Sequence, residues 1–351
     1  MKTKLALFFG GACSEYAISL RSAAAILRAL DEEEYEVYKI GIDRGGRWLL
    51  TEATPALIEE DRWQGGAYPC LLSPDRALRG IWLFPPGGTV RRILPDLLFP
   101  VLHGKSGEDG QIQGLFSLSG IPFVGSGTEA SALGMNKALA KLLARECGVA
   151  VVPWVTLTGE QLRDPRAAQA AAEAKLGYPM FLKPARGGSS IGAACVRQPS
   201  AFAAALAQAA AEDDCGLAEA YVPAREIEVA VLETQDALRV SLPGEIRPPR
   251  DDFYSYAAKY EQKGATLSTH AALSLPEEKR VRGYAARIFR ALGCRGCARV
   301  DFFISRATGR LYFNEINTMP GFTAISMFPR LLTEGGSMRT LLQEMIMGAM
   351  A

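Results

Sequence analysis

The sequence predicts a mixed α/β protein of more than one domain, on three observations. Near the start, an apolar strand (Leu5–Phe9), a helix with apolar residues every three or four positions (Ile18–Leu30) and a second strand (Tyr35–Ile42) follow one another. That is the order of a parallel α/β unit, whose site lies at the C-terminal ends of its strands. Toward the end, Ala298–Ile304 and Leu311–Ile316 read as adjacent antiparallel strands joined by a turn around Thr308-Gly309. The length of 351 residues leaves room for two or three domains at about 100–200 residues each.

The remaining elements follow in order. Gly10-Gly11 closes the first strand, and Asp96–Leu102 is a further strand that runs into the glycine-rich His103–Gly110. Residues 45–90 are rich in Gly, Pro and Trp and read as a surface insertion with hairpins. Asn136–Cys147 is a helix stopped by Gly148, because glycine takes the left-handed conformation of a helix end at low cost. A second unit begins near residue 134. Met180–Lys183 is a strand entering the loop Pro184–Gly192, Ala201–Ala211 is an almost pure alanine helix, and Leu217–Tyr221 and Glu226–Leu232 are strands. Residues 244–270 show no clean period and read mostly as a loop over a site, and Pro276–Leu292 is a helix.

Composition narrows the class of function. Hydrophobic residues at 48% and charged residues at 22% exclude a disordered, collagen-like or small disulfide-stapled chain. With 39 basic and 38 acidic residues the net charge is +1, so neither nucleic acid nor a membrane surface is expected as a partner. No uncharged apolar run approaches the ~18 residues of a transmembrane helix. Lys2 and Lys4 ahead of Leu5–Phe9 imitate a signal peptide, but the apolar run is shorter than the ~7–15 residues such a segment needs, so a cytoplasmic location is expected. The seven cysteines are odd in number and scattered, as reduced thiols are. Cys294 and Cys297 fit C-x-x-C, yet no second pair exists and His103 and His270 lie far away in sequence, so they read as small residues at a strand entrance rather than a zinc site.

Two segments carry a strong chemical signal. In Lys183-Pro-Ala-Arg-Gly-Gly-Ser-Ser-Ile-Gly192 a strand ends in lysine, and a loop of glycines and serines follows. Glycines let backbone N–H groups curl around an anion while the lysine supplies a point charge. Lysine precedes the loop here, which excludes a Walker A motif. In Arg299-Val-Asp301 and Glu315-Ile-Asn317, strand alternation puts each outer pair on one face. If the strands pair, that face holds two carboxylates, an amide and a guanidinium, an oxygen set suited to Mg²⁺ bridging phosphates. Asn317-Thr-Met-Pro-Gly-Phe-Thr323 adds a turn with exposed N–H groups that suit a carboxylate or an oxyanion. Gly125-Ser-Gly-Thr-Glu-Ala130 fits G-x-G-x-x-A, but the acid it would need falls at Glu146 inside a helix, which excludes a nicotinamide site.

Taken together with Gly10-Gly-Ala-Cys-Ser-Glu15, His103-Gly-Lys-Ser-Gly-Glu-Asp-Gly110, Gly134-Met-Asn-Lys137, Tyr254-Ser-Tyr-Ala-Ala-Lys-Tyr260 and Asn314-Glu-Ile-Asn-Thr-Met-Pro-Gly-Phe-Thr323, these segments resemble the D-alanine–D-alanine ligase family. That family includes the D-Ala–D-Ser and D-Ala–D-lactate ligases of glycopeptide-resistant bacteria. The resemblance runs from about residue 4 to the C-terminus. It implies an ATP-grasp fold with an N-terminal parallel α/β domain (1–133), a small central domain (134–218) and a C-terminal catalytic domain (219–351), with ATP between the last two. It also implies a homodimer that joins two D-alanines through D-alanyl phosphate for peptidoglycan precursor synthesis. ATP and two Mg²⁺ ions are the implied cofactors, with Mn²⁺ as a substitute.

The same resemblance assigns residues. Lys137, Lys183 and Lys259 would hold phosphates; Glu219 and Glu226 would accept from the adenine amino group and the ribose hydroxyls, with Tyr221 and Val222 between them. Asp301, Glu315 and Asn317 would be metal ligands. Glu15 would pair with the first D-alanine's ammonium, in a network with Ser189 and Tyr260, and His103 would lie near that substrate. Arg299 and the Gly321 N–H would stabilise the oxyanion, and Ser326 would grip the second D-alanine's carboxylate. Tyr260, where lactate-using relatives carry a histidine nearby, implies an amine acceptor. Met327, apolar where several resistance ligases carry Arg, favours D-alanine over D-serine. The His103–Gly114 segment and Cys294-Arg-Gly resemble the resistance enzymes, so a D-Ala–D-Ser ligase is the alternative. A non-catalytic nucleotide-binding ATP-grasp protein is the other alternative, and the intact set Arg299, Asp301, Glu315 and Asn317 speaks against it.

Overall fold

The computed structural model describes residues 2–247, 266–334 and 336–351 and contains three β-sheets. The first grows from β1 (Thr3–Gly10), which pairs in parallel with β2 (Tyr35–Ile42) on one side and, on the other, with a strand named below as β7. β1 is buried along its last six residues, because a central parallel strand is covered on both faces and reads as a continuous apolar run. The helix Tyr16–Ala29 connects β1 to β2 and buries Ile18, Leu20, Ala23 and Ile26.

Residues 45–90 are not a separate surface insertion. They form β3 (Trp48–Thr51), β4 (Tyr68–Leu72) and β5 (Ile81–Leu83), which with the following β6 (Arg91–Ile93) extend the same sheet antiparallel beyond β2; β7 (Leu97–Leu102) then returns to the far side of β1. The expected hairpins are there. Their inward residues Leu50, Cys70, Leu72, Ile81 and Leu83 share a core with Phe8, Ile40 and Phe116. Trp63, one of the residues that suggested a surface segment, is fully buried, edge-on to Phe9, and its Nε1 donates to the Tyr16 hydroxyl at 2.9 Å.

The second sheet has the order β10-β9-β11-β8: β8 (Trp154–Leu157), β9 (Met180–Pro184), β10 (Ala194–Val196) and β11 (Gly216–Ala220). The helices Pro165–Leu176 and Phe202–Glu212 bury small residues and Phe202 against it. The third sheet contains β12 (Ala224–Glu233), β13 (Leu238–Val240), β14 (Gly244–Arg247), β15 (Thr266–Ser268), β16 (Cys297–Ser305) and β17 (Leu311–Asn317). β14 and β15 correct the reading of 244–270 as mostly loop at its two ends; residues 248–265 lie outside the described residues. The helix Leu275–Ala291 packs behind this sheet through Val281, Ala285, Ile288 and Phe289, and Pro and a Ser274–Glu277 capping box open it.

Packing does not respect the expected boundaries everywhere. The 218/219 division falls inside β11, so Glu219 belongs to the second sheet. The helix Lys137–Glu146, capped by the Asn136 side chain, buries Ala140 and Ala144 in the core of the third sheet. The helix Met338–Met350 packs Leu341, Leu342, Met345 and Ile346 into one core with Leu5, Leu7 and Leu20. Cys294 and Cys297 are buried, the latter opening β16. Among the described residues no helix is long and apolar enough to cross a membrane.

Gly41 on β2 is there because Trp63 lies over it: a Cβ at that position would stand 2.3 Å from the indole Cζ3. Gly41→Ala is therefore expected to destabilise the protein by about 1–3 kcal/mol, the usual penalty for overpacking a filled core. Chemical denaturation checks this, and an unchanged unfolding free energy would mean that the indole is free to shift.

Candidate active site

Two cavities meet along the β16–β17 pair. The larger, about 790 Å³, lies between the second and third sheets. β9 and β11 line it with Lys183 and Glu219, the connection to β12 with Tyr221 and Val222, β12 with Glu226, the start of the helix Lys137–Glu146 with Lys137, and β16 and β17 with Asp301 and Glu315. The smaller, about 90 Å³, lies between the first and third sheets and is lined by Glu15, His103, Ser189, Arg299, Asn317, Gly321, Ser326 and Met327. Glu228 and Glu315 line both. The structure thus divides the expected residues into two adjoining groups; Lys259 and Tyr260 lie outside the described residues.

Strand register builds the shared wall. β16 and β17 pair antiparallel with Asp301 opposite Glu315 and Arg299 opposite Asn317, and the register slips just after Asp301. Arg299 grips Asp301 with two parallel bonds, Nε to Oδ1 at 2.8 Å and Nη2 to Oδ2 at 2.7 Å. From β12, Glu228 lies opposite Asp301 and comes within 3.1 Å of the Arg299 Nε. Asn317 donates to Asp301 Oδ2 at 3.3 Å. Burial opposes the guanidinium's charge, but Asp301 and Glu228 outweigh it and hold its pKa well above the ordinary arginine value.

The larger cavity carries its own ion pairs. Glu219 is buried and contacts Lys141 through Oε1 and Lys183 through Oε2. Burial alone would raise its pKa; the two ammonium groups reverse that and leave it below the usual carboxylate value. Lys137 pairs with Glu315 at 3.3 Å and donates to the Gly187 carbonyl. Asn314 Oδ1, in the same wall, is buried with no hydrogen-bond partner among the described residues. Two carboxylates and an amide on adjacent register positions of one strand pair fit a divalent ion that prefers oxygen, such as Mg²⁺.

In the smaller cavity, Glu15 begins the helix Tyr16–Ala29 and accepts from Ser189 Oγ at 2.5 Å. Ser189 and Ser190 both have positive φ (52° and 58°), a left-handed strain that turns the 185–192 loop onto Glu15. Gly104 and Gly188 make this approach feasible: a Cβ at either would fall within 2.4 and 2.5 Å of the Glu15 carboxylate. His103 follows β7. Its Nδ1 donates to the Met319 carbonyl at 3.1 Å, and Nε2 accepts from Ser22 Oγ at 3.2 Å, which in turn accepts from the Phe322 N–H at 3.2 Å. Ser326 Oγ accepts from the Thr323 N–H at 3.1 Å and caps the turn that carries Gly321. Behind Glu15, burial and then the Glu15 charge push the Glu108 pKa well above the usual carboxylate value; its Oε2 accepts from the Gly104 N–H at 2.7 Å.

Sequence reading did not single out three of these charged residues. Glu228 was legible as the second of two acids spaced by two on a strand, after Glu226. Lys141 lies one helical turn after Lys137, and Glu108 sits inside the glycine-rich segment already noted. Ile325, apolar beside Ser326, lines the smaller cavity and stays half exposed.

The chain matches the families described as "D-ala D-ala ligase N-terminus" over residues 4–126 and "D-ala D-ala ligase C-terminus" over residues 143–347. It is 42% identical over 348 residues to the D-alanine–D-alanine ligase of Thermoanaerobacter sp. (strain X514), covering 98% of this chain and 96% of that protein. To the D-alanine–D-alanine ligase of Mycobacterium tuberculosis (strain CDC 1551 / Oshkosh) it is 41% identical over 365 residues, covering 100% and 96%. Among solved structures, the VanG D-Ala:D-Ser ligase from Enterococcus faecalis superposes with a TM-score of 0.87 at 35% identity and full coverage of both chains. The D-alanine–D-alanine ligase from Coxiella burnetii gives 0.81 at 32% identity, covering 99% of this chain and 94% of that one.

Burial depresses the His103 pKa to about 4, and the Met319 bond only partly offsets this. The unfolded chain takes up a proton near pH 6.5 that the folded imidazole refuses, so this residue's contribution to stability is present above pH 6.5 and is lost as pH falls toward 4. In a ¹⁵N NMR titration His103 is expected to stay a neutral Nδ1–H tautomer down to about pH 4. A midpoint at or above the ordinary 6.5 would contradict the burial of the His103 imidazole.

Proposed function

From the premise that the chain belongs to the D-alanine–D-alanine ligase family, we propose that its two cavities are the nucleotide and amino-acid halves of one active site. The protein is an ATP-dependent, ADP-forming ligase that joins two D-alanines, through D-alanyl phosphate, for peptidoglycan precursor synthesis. One observation carries the site assignment. The β16–β17 pair places Asp301 on the larger cavity, Arg299 and Asn317 on the smaller and Glu315 on both, so a phosphate held in one can meet a carboxylate held in the other.

In the first step the carboxylate of one D-alanine attacks the γ-phosphorus of ATP, and ADP leaves. In the second the amine of another D-alanine attacks the acyl carbonyl, and phosphate leaves. The first step brings like charges together, so positioning and neutralisation dominate it. Lys137 and Lys183 exchange their resting carboxylate partners for phosphate oxygens. Asp301, Glu315 and Asn317 would hold the divalent metal, proposed as two Mg²⁺ ions, which supplies positive charge to the phosphates. Glu15, fixed by Ser189, pairs with the first ammonium, and Arg299 with the Gly321 N–H stabilises the oxyanion. Ser326, at the start of the helix Met327–Leu332, receives the second carboxylate. The family resemblance would add Tyr260 to the Glu15 network and Lys259 to the phosphate cations; both lie outside the described residues. Exclusion of water from the acyl phosphate is expected of the 250–270 segment, most of which lies outside the described residues.

We propose D-alanine as the second substrate, in a cytoplasmic homodimer. The buried Met327 offers no partner to a serine hydroxyl, although an apolar wall rejects such an isostere only by ~10²-fold or less. The likeness to a D-Ala:D-Ser ligase over the full length keeps D-serine as the second reading. With D-alanine, D-serine and D-lactate offered together, mass spectrometry is expected to find D-alanyl-D-alanine as the main product; D-alanyl-D-serine in excess would transfer the protein to the other branch. Glu315→Ala is expected to lower D-alanine-dependent ADP release by about 10²-fold or more with the melting temperature held. Near-normal turnover would remove Glu315 from the reaction.

A further inference from the structure

Glu219, read above as the acceptor for the adenine amino group, is held by two lysines that differ in kind. Lys183 sits at the end of β9 and lines the larger cavity. Lys141 does not reach the cavity. Its side chain is wholly buried in the helix Lys137–Glu146, four residues after Lys137, with its ammonium on Glu219 Oε1. One helix therefore carries both the cation that pairs with Glu315 and the cation that pairs with Glu219.

We propose that Lys141 is a positioning residue for base recognition: the buried partner that stays on Glu219, keeping it ionised and aimed into the cavity, once Lys183 leaves for phosphate. The inference rests on the reading of Glu219 as the base acceptor. A buried carboxylate stripped of its only partner moves toward its neutral form. An ionised carboxylate only accepts, so it matches the 6-amino group of adenine and repels the 6-oxo group of hypoxanthine. A protonated one donates from one oxygen and loses that distinction. Without Lys141, Glu219 must either take up a proton or retain Lys183, and the second choice withholds a cation from the phosphates. Lys141 thereby becomes a specificity determinant that never touches the nucleotide.

The test is steady-state kinetics of the full-length enzyme with ATP and with ITP from pH 6 to 9, for wild type, Lys141→Met, Lys141→Arg and Glu219→Gln. Lys141→Met is expected to raise the KM for ATP about tenfold or more, with a smaller change in kcat. Its preference for ATP over ITP should collapse, and the KM for ATP should worsen further as pH falls; Lys141→Arg, which keeps the charge, should recover most of the preference. Equal losses for ATP and ITP with no pH dependence would show a merely structural lysine and overturn the proposal. Wild type supplies an independent reading should Lys141→Met fail to fold: its preference should be flat across the range, and a decline toward pH 6 would contradict a permanently ionised Glu219. If Glu219→Gln leaves the preference intact, the base-acceptor reading itself fails. If Glu219→Gln abolishes the preference while Lys141→Met keeps it, only the role of Lys141 fails.

Discussion

The antiparallel pairing of β16 with β17 is the constraint on which the site depends. It sets Asp301 opposite Glu315 and Arg299 opposite Asn317, four polar groups on a strand pair whose other face is packed with Val300, Phe302, Phe313 and Ile316. A register shift of one residue would turn these groups into the core and the apolar set into the cleft. The fold therefore cannot lose the site geometry without losing the core behind it. The same pair is the wall between the two cavities, so the geometry that positions the metal ligands also fixes the distance between nucleotide and amino acid.

Most charged groups of the cleft sit in mutual ion pairs: Arg299 with Asp301 and Glu228, Lys137 with Glu315, Lys183 with Glu219. Buried charge is costly unless it is paired, so a cleft made for a highly charged ligand has to neutralise itself first. Substrates do not meet bare charges; they exchange with partners already present. Residues with two partners matter most in such an exchange. Arg299 keeps Glu228 if Asp301 turns to a metal, and Glu219 keeps Lys141 if Lys183 turns to phosphate.

Much of this was legible in the sequence where a short period or a glycine loop carried the signal. The strand pair, the helix from Asn136, the first parallel unit and the lysine at the end of Met180–Lys183 follow from local pattern. The 45–90 stretch misled because its glycines, prolines and tryptophans are those of turns, while its short strands join a sheet whose other members lie far away in sequence. Trp63 shows the same failure: its burial depends on Gly41 and Phe9, which no local window contains. Glu228 and Lys141 were missed because an acid on a strand and a lysine on a helix are ordinarily solvated. Only the neighbouring Arg299 and Glu219 give them meaning. In the nucleotide half, the roles of Lys137, Glu219, Tyr221, Val222 and Glu226 came from family resemblance, since a short Glu–Glu spacing alone points to nothing.

Metal binding at the strand pair is the property on which the two-cavity site depends most directly. Electron paramagnetic resonance of Mn²⁺ with ADP present, in wild type and in Asp301→Ala and Glu315→Ala, measures it without turnover. Tight, stoichiometric Mn²⁺ in wild type that weakens sharply in both variants, while ADP still binds, is the predicted result. Unchanged Mn²⁺ affinity and stoichiometry in either variant would contradict the account.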